Sequence, residues 1–207
     1  MSANTASTVD DEADPETTSV DGLRERILEI AIHRFASQGY SETSTRELVE
    51  AARCTKPAMY YYFKSKADLF RSAVELAHCR VDGGDDPELQ QLGLRDALLK
   101  SLTRLAERLA DKPDDLRLLL RADGYTALGS DLIDTRSLRA AHIAMADDLL
   151  RRAIETGEVR TDLPVEDAAI ALIGMVHLQL ELVLDGRPLS DNFAERIVSI
   201  YMDGVAR

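Results

Sequence analysis

The chain reads as all-α. An N-terminal three-helix unit carrying a helix-turn-helix is joined by a fourth helix to a larger C-terminal helical domain, about nine helices in all. Three observations predict this. The chain is rich in Ala and Leu and poor in β-branched runs, which favours helix over strand. Apolar residues recur at helical spacing from residue 22 to the C-terminal end, with no convincing strand and no internal repeat. Three hydroxyl residues, Ser44, Thr55 and Ser65, open successive short periodic segments, each able to satisfy N–H groups that a helix start leaves orphaned.

The elements follow in order. Residues 1–20 are mostly Ser, Thr, Asp, Glu and Ala, with almost nothing to bury, and are expected to form a disordered acidic tail. A first helix is expected from Gly22 to Gln38, capped by Asp21, with Ile27, Leu28, Ala31 and Phe35 on one face. Gly39 supplies the left-handed residue that ends it, and Tyr40 can fold back onto its last turn. The second helix starts at Ser44 with Glu47 three residues on, a capping box, and runs to about Ala52 with Leu48 and Val49 facing inward. The third is capped by Thr55, tolerates Pro57 in its first turn, where N–H groups have no helical partner, and ends near Phe63. The fourth repeats the logic with Ser65 and Asp68 and runs to about Arg80. Turn chemistry at Asp82-Gly83-Gly84-Asp85-Asp86-Pro87 marks a boundary between domains 21–81 and 87–207. Beyond it, helices are expected over about Glu88–Ala110, Asp114–Tyr125, Asp131–Glu155, Val165–Leu184 and Asp191–Val205.

The net charge of −12 argues against a nucleic-acid partner until it is partitioned. Residues 1–20 hold five acids and no base, residues 21–80 ten bases and eight acids, and residues 81–207 fifteen bases and twenty-four acids. Within 51–67 there are four bases (Arg53, Lys56, Lys64 and Lys66) and no acid. A local basic patch, not the global sum, decides phosphate attraction. The two cysteines, Cys54 and Cys79, form neither a disulfide framework nor a zinc spacing. With no apolar segment of signal-peptide type, they point to the cytoplasm. The most apolar run, Ala168 to Leu184, contains His177, Gln179 and Glu181 and is short for a membrane span.

The stretch from Ser44 to Phe63 therefore has the form of a helix-turn-helix, whose second helix enters a DNA major groove. Its residue types suit that task. A cap Thr at a helix start offers a hydroxyl and free N–H groups to phosphate, lysines neutralise phosphates, and tyrosines combine a stacking face with a hydroxyl. Pro57 and Ala58 are small apolar groups suited to a thymine methyl.

Residues 23–75 resemble the DNA-binding domain of the TetR-type transcriptional regulators. The resemblance rests on Phe35…Gly39-Tyr40, on Thr43-Ser44-Thr45, and on the run from Thr55 through Tyr60, Phe63 and Lys66 to Leu69. It implies that Thr45, Tyr60, Tyr62 and Lys66 hold phosphates. Lys56, Pro57, Ala58 and Tyr61 would face base edges or the groove floor, and Thr55 would cap the reading helix at the DNA backbone. Leu48, Met59 and Phe63 would be the core of the motif. The sequence departs from the family at Arg53, where Gly is common, at Cys54, where a small aliphatic is usual, and at Pro57, where Gly is usual. These departures bear on operator sequence. In the C-terminal half the likeness lies in helix count and length and in Asp162-Leu163-Pro164. That half implies small-molecule binding and homodimerisation, and the whole implies a homodimeric repressor of a partly palindromic operator.

Blander readings stand beside these. Cys54 and Cys79 read as small buried hydrophobes rather than redox switches. His33, His78, His142 and His177 show no ligand spacing, so no metal and no cofactor is expected. A ligand pocket would draw on Tyr125, His142, Met145, Met175, His177 and Gln179. A four-helix dimer interface would draw on Ile173, Val176, Leu180, Phe193, Ile197, Ile200 and Tyr201, because a helix apolar nearly all round must be covered on most sides. Two rivals remain: a helical interaction module without specific DNA binding, and a helical-bundle enzyme. The second lacks a nucleophile with a base, a paired carboxylate or a His/Glu metal set.

Overall fold

The computed structural model describes residues 20–82, 86–127 and 135–205. The acidic tail, the centre of the expected domain boundary and the residues 131–134 expected to open a helix lie outside them. The described residues form nine α-helices and one 3₁₀ turn: α1 (Val20–Gln38), α2 (Thr45–Ala51), α3 (Lys56–Tyr62), α4 (Lys66–Asp82), the turn Leu89–Gln91, α5 (Leu94–Asp111), α6 (Pro113–Ala127), α7 (Thr135–Glu155), α8 (Val165–Leu184) and α9 (Phe193–Val205).

Three of the expected caps operate as the sequence implies, whereas α1 begins at Val20, so Asp21 lies inside the helix and does not cap it. The Ser44 hydroxyl accepts the Glu47 N–H while the Glu47 carboxylate accepts the Ser44 N–H at 2.8 Å, which closes the capping box. Thr55 Oγ1 accepts the Ala58 N–H, and Ser65 Oγ accepts the Asp68 N–H at 3.0 Å. Gly39 ends α1 at φ 88, and the Tyr40 ring returns against Phe35 and Phe70 with centroids 6.0 and 4.9 Å apart.

The helix expected from Glu88 begins instead at Leu94. Its N-cap is Gly93, which has no side chain to accept an N–H. The missing acceptor arrives from the loop after α7, where the Glu158 carboxylate takes the Leu94 N–H at 2.9 Å. A cap supplied from so far along the chain leaves no local signal.

Two cores organise the molecule. The first is built by α1 to α4 around Ile27, Leu28, Ala31, Phe35, Leu48, Met59, Phe63 and Phe70, and α6 closes it with Leu118 and Ala122. The second joins α5, α7, α8 and α9. A small cluster, Leu109, Leu116 and Leu180, lies with Val81 between them. The N-terminal unit is therefore not sealed by its own residues, and α6 is shared structure.

Most of the expected dimer stripe turns inward. Leu180, Phe193, Ile197 and Tyr201 are all buried within the chain, and the Tyr201 hydroxyl donates to the Ala168 carbonyl at 3.0 Å. Burial pushes that phenol up to about 12. The reason is that α9 lays its apolar stripe on α5 of its own chain. Ile173 and Val176 are half-buried against the second core. Of the expected set only Ile200 stands out, 59% exposed, and Ile170 and Leu178 on α8 join it at 47% and 56%. Cys79, expected to be buried, is exposed on α4.

Candidate nucleic-acid interface

The reading helix is held from beneath. Met59 is fully buried, and Leu48 and Phe63 are 1% exposed, so the underside of α3 is fixed against α1 and α2. Arg26 on α1 donates to the Ala52 carbonyl at 3.0 Å, pinning the end of α2, and the Arg24 guanidinium lies 5.6 Å from the Phe63 ring centre. The turn between α2 and α3 passes through Arg53 at φ 49, the left-handed region that L side chains disfavour. The departure from Gly at this position is thus accommodated as backbone strain, not as a different turn.

The opposite face of α3 is open. Lys56 and Pro57 are exposed, Ala58 is half-buried, Tyr60 is 44% exposed and Tyr61 is 80% exposed. Tyr62 is half-buried, leans on the first core and meets Tyr61 edge to face with centroids 5.1 Å apart. Thr45 is half-buried and Thr55 exposed at the two helix starts. Lys64 is exposed beyond the end of α3. These side chains occupy one capped, basic and aromatic end of the molecule.

Lys66 has a second occupation. Its ammonium donates to the carbonyls of Tyr40 and Thr43 at 2.7 and 2.8 Å and sits 4.3 Å from the Tyr40 ring centre. Burial pushes its pKa down from the usual lysine value, so the charge is partly desolvated. The lysine clamps the loop between α1 and α2 onto the start of α4. Thr43, fully buried, completes the clamp by donating to the Gly39 carbonyl at 2.8 Å. Sequence reading missed these positioning roles of Thr43, Arg24 and Arg26, since nothing in their spacing marks them.

Cys54 is half-buried against the first core, and burial pushes its thiol up, away from the reactive thiolate. The expected ligand-pocket residues differ in their surroundings. Met145 is exposed. His142 stacks on His78 of α4 with centroids 5.5 Å apart, and His177 pairs through Nε2 with Glu181 on its own helix at 3.1 Å. Met175 and Gln179 are half-buried, and the Tyr125 side chain lies outside the described residues. A cavity of about 230 Å³ is lined by Arg80, Val81, Arg108, Asp111, Lys112 and Asp115, and none of the five expected pocket residues with a described side chain is among them.

A short capped helix, open on its basic aromatic face and anchored on its apolar one, defines a helix-turn-helix DNA-binding protein. Residues 27–73 match the model of the tetR family of bacterial regulatory proteins, and residues 95–207 match that of the SbtR-like transcriptional regulator C-terminal domain. The chain belongs to the tetR family and is a DNA-binding transcriptional regulator, not an enzyme. It is 27% identical over 168 residues to the HTH-type transcriptional repressor AcnR of Corynebacterium glutamicum, covering 79% of this chain and 78% of that one. A match to the HTH-type transcriptional regulator AcrR of Shigella flexneri is 41% identical over 58 residues, 28% of this chain, and spans only 27% of that protein. A tetR-family regulator from Agrobacterium tumefaciens superimposes with a TM-score of 0.75 over 91% of this chain and all of that one, at 14% identity, which speaks for the fold alone.

Proposed function

We propose that the protein is a cytoplasmic homodimeric repressor that binds a partly palindromic operator and leaves it when a small molecule binds. In this reading residues 21–81 read DNA and residues 87–207 sense and dimerise. The observation that carries it is the open face of α3. Lys56, Pro57, Ala58 and Tyr61 project from a helix that Met59 and Phe63 hold rigidly, so their geometry is set before DNA arrives. Thr45, Thr55, Tyr60 and Tyr62 flank this face as phosphate partners. Two of the three Lys66 donors serve its own backbone, leaving one for a phosphate.

Homodimerisation is supported by what α8 and α9 leave uncovered. Only 22% of the most apolar window of α8 is buried in the single chain, although the helix is long and apolar enough by composition to cross a membrane. Its outward line is Ile170, Gly174 and Leu178 at four-residue spacing, and α9 continues with Ile200 and Gly204. A Cβ at Gly174 or Gly204 would meet nothing within 4 Å, so a second pair of helices can approach closely there. Two reading helices in such a dimer would lie about 34–36 Å apart or a multiple of that repeat.

Titration of the protein against the DNA upstream of its own reading frame tests the reading. A shift at low salt is expected, with Lys56→Ala and Tyr61→Ala each weakening binding by about 1–3 kcal/mol. No shift at any salt would instead favour the interaction-module reading.

A further inference from the structure

The turn from α2 into α3 closes through two nested hydrogen bonds. The Arg53 N–H donates to the Glu50 carbonyl at 3.2 Å and the Cys54 N–H to the Val49 carbonyl at 3.0 Å, the pattern that ends a helix through one left-handed residue. Glycine is the usual occupant of that position, because it has no Cβ to crowd the backbone. Here it is Arg53, the only residue other than glycine with a positive φ among the described residues. Val49 and Cys54 on either side pack into the first core, so the surroundings impose the conformation. Strain held in place in this way gathers at functional sites.

What the position presents is a guanidinium with no partner of its own. Arg53 is exposed, and its side chain enters no ion pair or hydrogen bond among the described residues. Neighbouring arginines are occupied: Arg26 holds the Ala52 carbonyl, Arg46 pairs with Glu50, Arg71 with Asp68 and Arg80 with Glu29. Glu50, the nearest acid along the chain, is thus already engaged, and no other follows until Asp68. Arg53 also extends the open edge of α3. It stands two positions before the Thr55 cap, and Arg53, Thr55, Lys56 and Pro57 are all exposed. The turn lies outside the helix that enters the groove and follows α2, the helix that crosses the DNA backbone in such motifs. We propose that Arg53 is a further DNA contact, its guanidinium donating to a backbone phosphate beside the groove, which rests on the reading of α3 as a DNA-reading helix. A guanidinium offers paired donors that match a phosphate. Phosphate contacts carry no base sequence, so Arg53 adds affinity for every duplex instead of choosing among operators.

The full-length parent, Arg53→Gly, Arg53→Gln and Arg53→Lys are titrated by fluorescence anisotropy against the DNA upstream of the reading frame and against an unrelated duplex of equal length, over a range of salt. The glycine variant removes charge and strain together, the glutamine variant removes charge alone, and the lysine variant keeps the charge. Arg53→Gly and Arg53→Gln should weaken both duplexes by one factor, about tenfold at about 0.1 M salt, and flatten the plot of log K against log salt by about 0.9 for each subunit bound. Arg53→Lys should recover most of that slope. A parental slope in Arg53→Gly or Arg53→Gln overturns the proposal. So does a loss seen in Arg53→Gly alone, which would belong to the turn and not the charge, a slope that Arg53→Lys fails to recover, or a loss confined to the upstream DNA. Should Arg53→Gln fail to fold by circular dichroism, Arg53→Gly decides, since glycine suits the turn. A parent that binds neither duplex at any salt overturns the DNA reading as a whole, whereas a parent that binds both with a slope independent of Arg53 overturns this contact alone.

Discussion

Arg53 shows how one residue can carry strain without changing the fold. At φ 49 it occupies a conformation that costs an L residue about 1–2 kcal/mol, yet the turn closes with its N–H bonded to the Glu50 carbonyl at 3.2 Å. Arg53→Gly relieves the strain, but glycine loses more freedom on folding, by about 0.5–1 kcal/mol, so the variant should lie within about 1 kcal/mol of the parent in urea unfolding. Arg53→Val adds a branched Cβ at the same φ and should lose at least about 1–2 kcal/mol. Lys66 is the second informative residue. The resemblance assigns it a phosphate, and the structure gives two of its donors to Tyr40 and Thr43. Lys66→Ala should therefore do two things at once: lower thermal stability without DNA, and weaken every operator sequence alike. An unchanged melting temperature would deny the clamp. An unchanged salt dependence of binding would deny the phosphate.

At the scale of elements, α2 and α3 have seven residues each and cannot persist alone, since helices this short are marginal in water. Their caps and their buried undersides hold them. Ser44→Ala removes one half of the capping box and should cost about 1 kcal/mol in chemical denaturation, with a parallel loss of operator affinity. The helices α1, α4 and α6 meet at a charged joint whose pH response has two opposing parts. The Arg80 hydrogen bonds hold the Glu29 carboxyl below its usual value, so its contribution is present above the ordinary carboxylate range and is lost as pH falls through the lowered value. Burial pushes Asp115 above its usual value, so its charged form opposes folding at neutral pH and the opposition fades as pH falls through the raised value. Glu29→Gln should thus destabilise the protein at neutral pH and hardly at all in acid. Asp115→Asn should be neutral or stabilising at neutral pH. Melting curves across that range decide, and the reverse order would contradict the assignment.

At the scale of the whole molecule, α6 is the structural link. Leu118 and Ala122 complete the core beneath the reading helix, while Leu116 sits in the cluster shared with α5 and α8. A displacement of α6 therefore cannot leave the N-terminal unit unaffected, which is the physical requirement for a ligand in one half to alter DNA binding in the other. Outside the chain, the uncovered line on α8 and α9 is the surface proposed for dimerisation. Leu178→Asp with Ile200→Asp should convert a dimer to a folded monomer in sedimentation, with a large loss of operator affinity, because neither side chain serves its own core. A dimer that survived both changes would place the interface elsewhere.

Much of this was legible in the chain itself. The three hydroxyl caps, the glycine stop of α1, the extents of α2 and α3 and the inward faces of Leu48, Met59 and Phe63 follow from local chemistry, where the residue that decides lies within four positions of the one decided. The exposed face of α3 was equally legible, being the part of the helix that its own core pattern leaves over. The start of α5 was not, because its acceptor is Glu158. The faces of α9 were not, because periodicity marks an apolar stripe without saying whether α5 or a partner covers it. The double duty of Lys66 was hidden too, since a lysine beside a DNA-reading helix looks the same whether it points outward or back. The sequence by itself determined the short helices α2 and α3, their caps and the helix-turn-helix they form, all effects of residues a turn apart. The tertiary structure alone decided which apolar faces stay open, which charges meet at the joint, and that a buried Asp115 lines a cavity there, since these depend on residues brought together from distant parts of the chain.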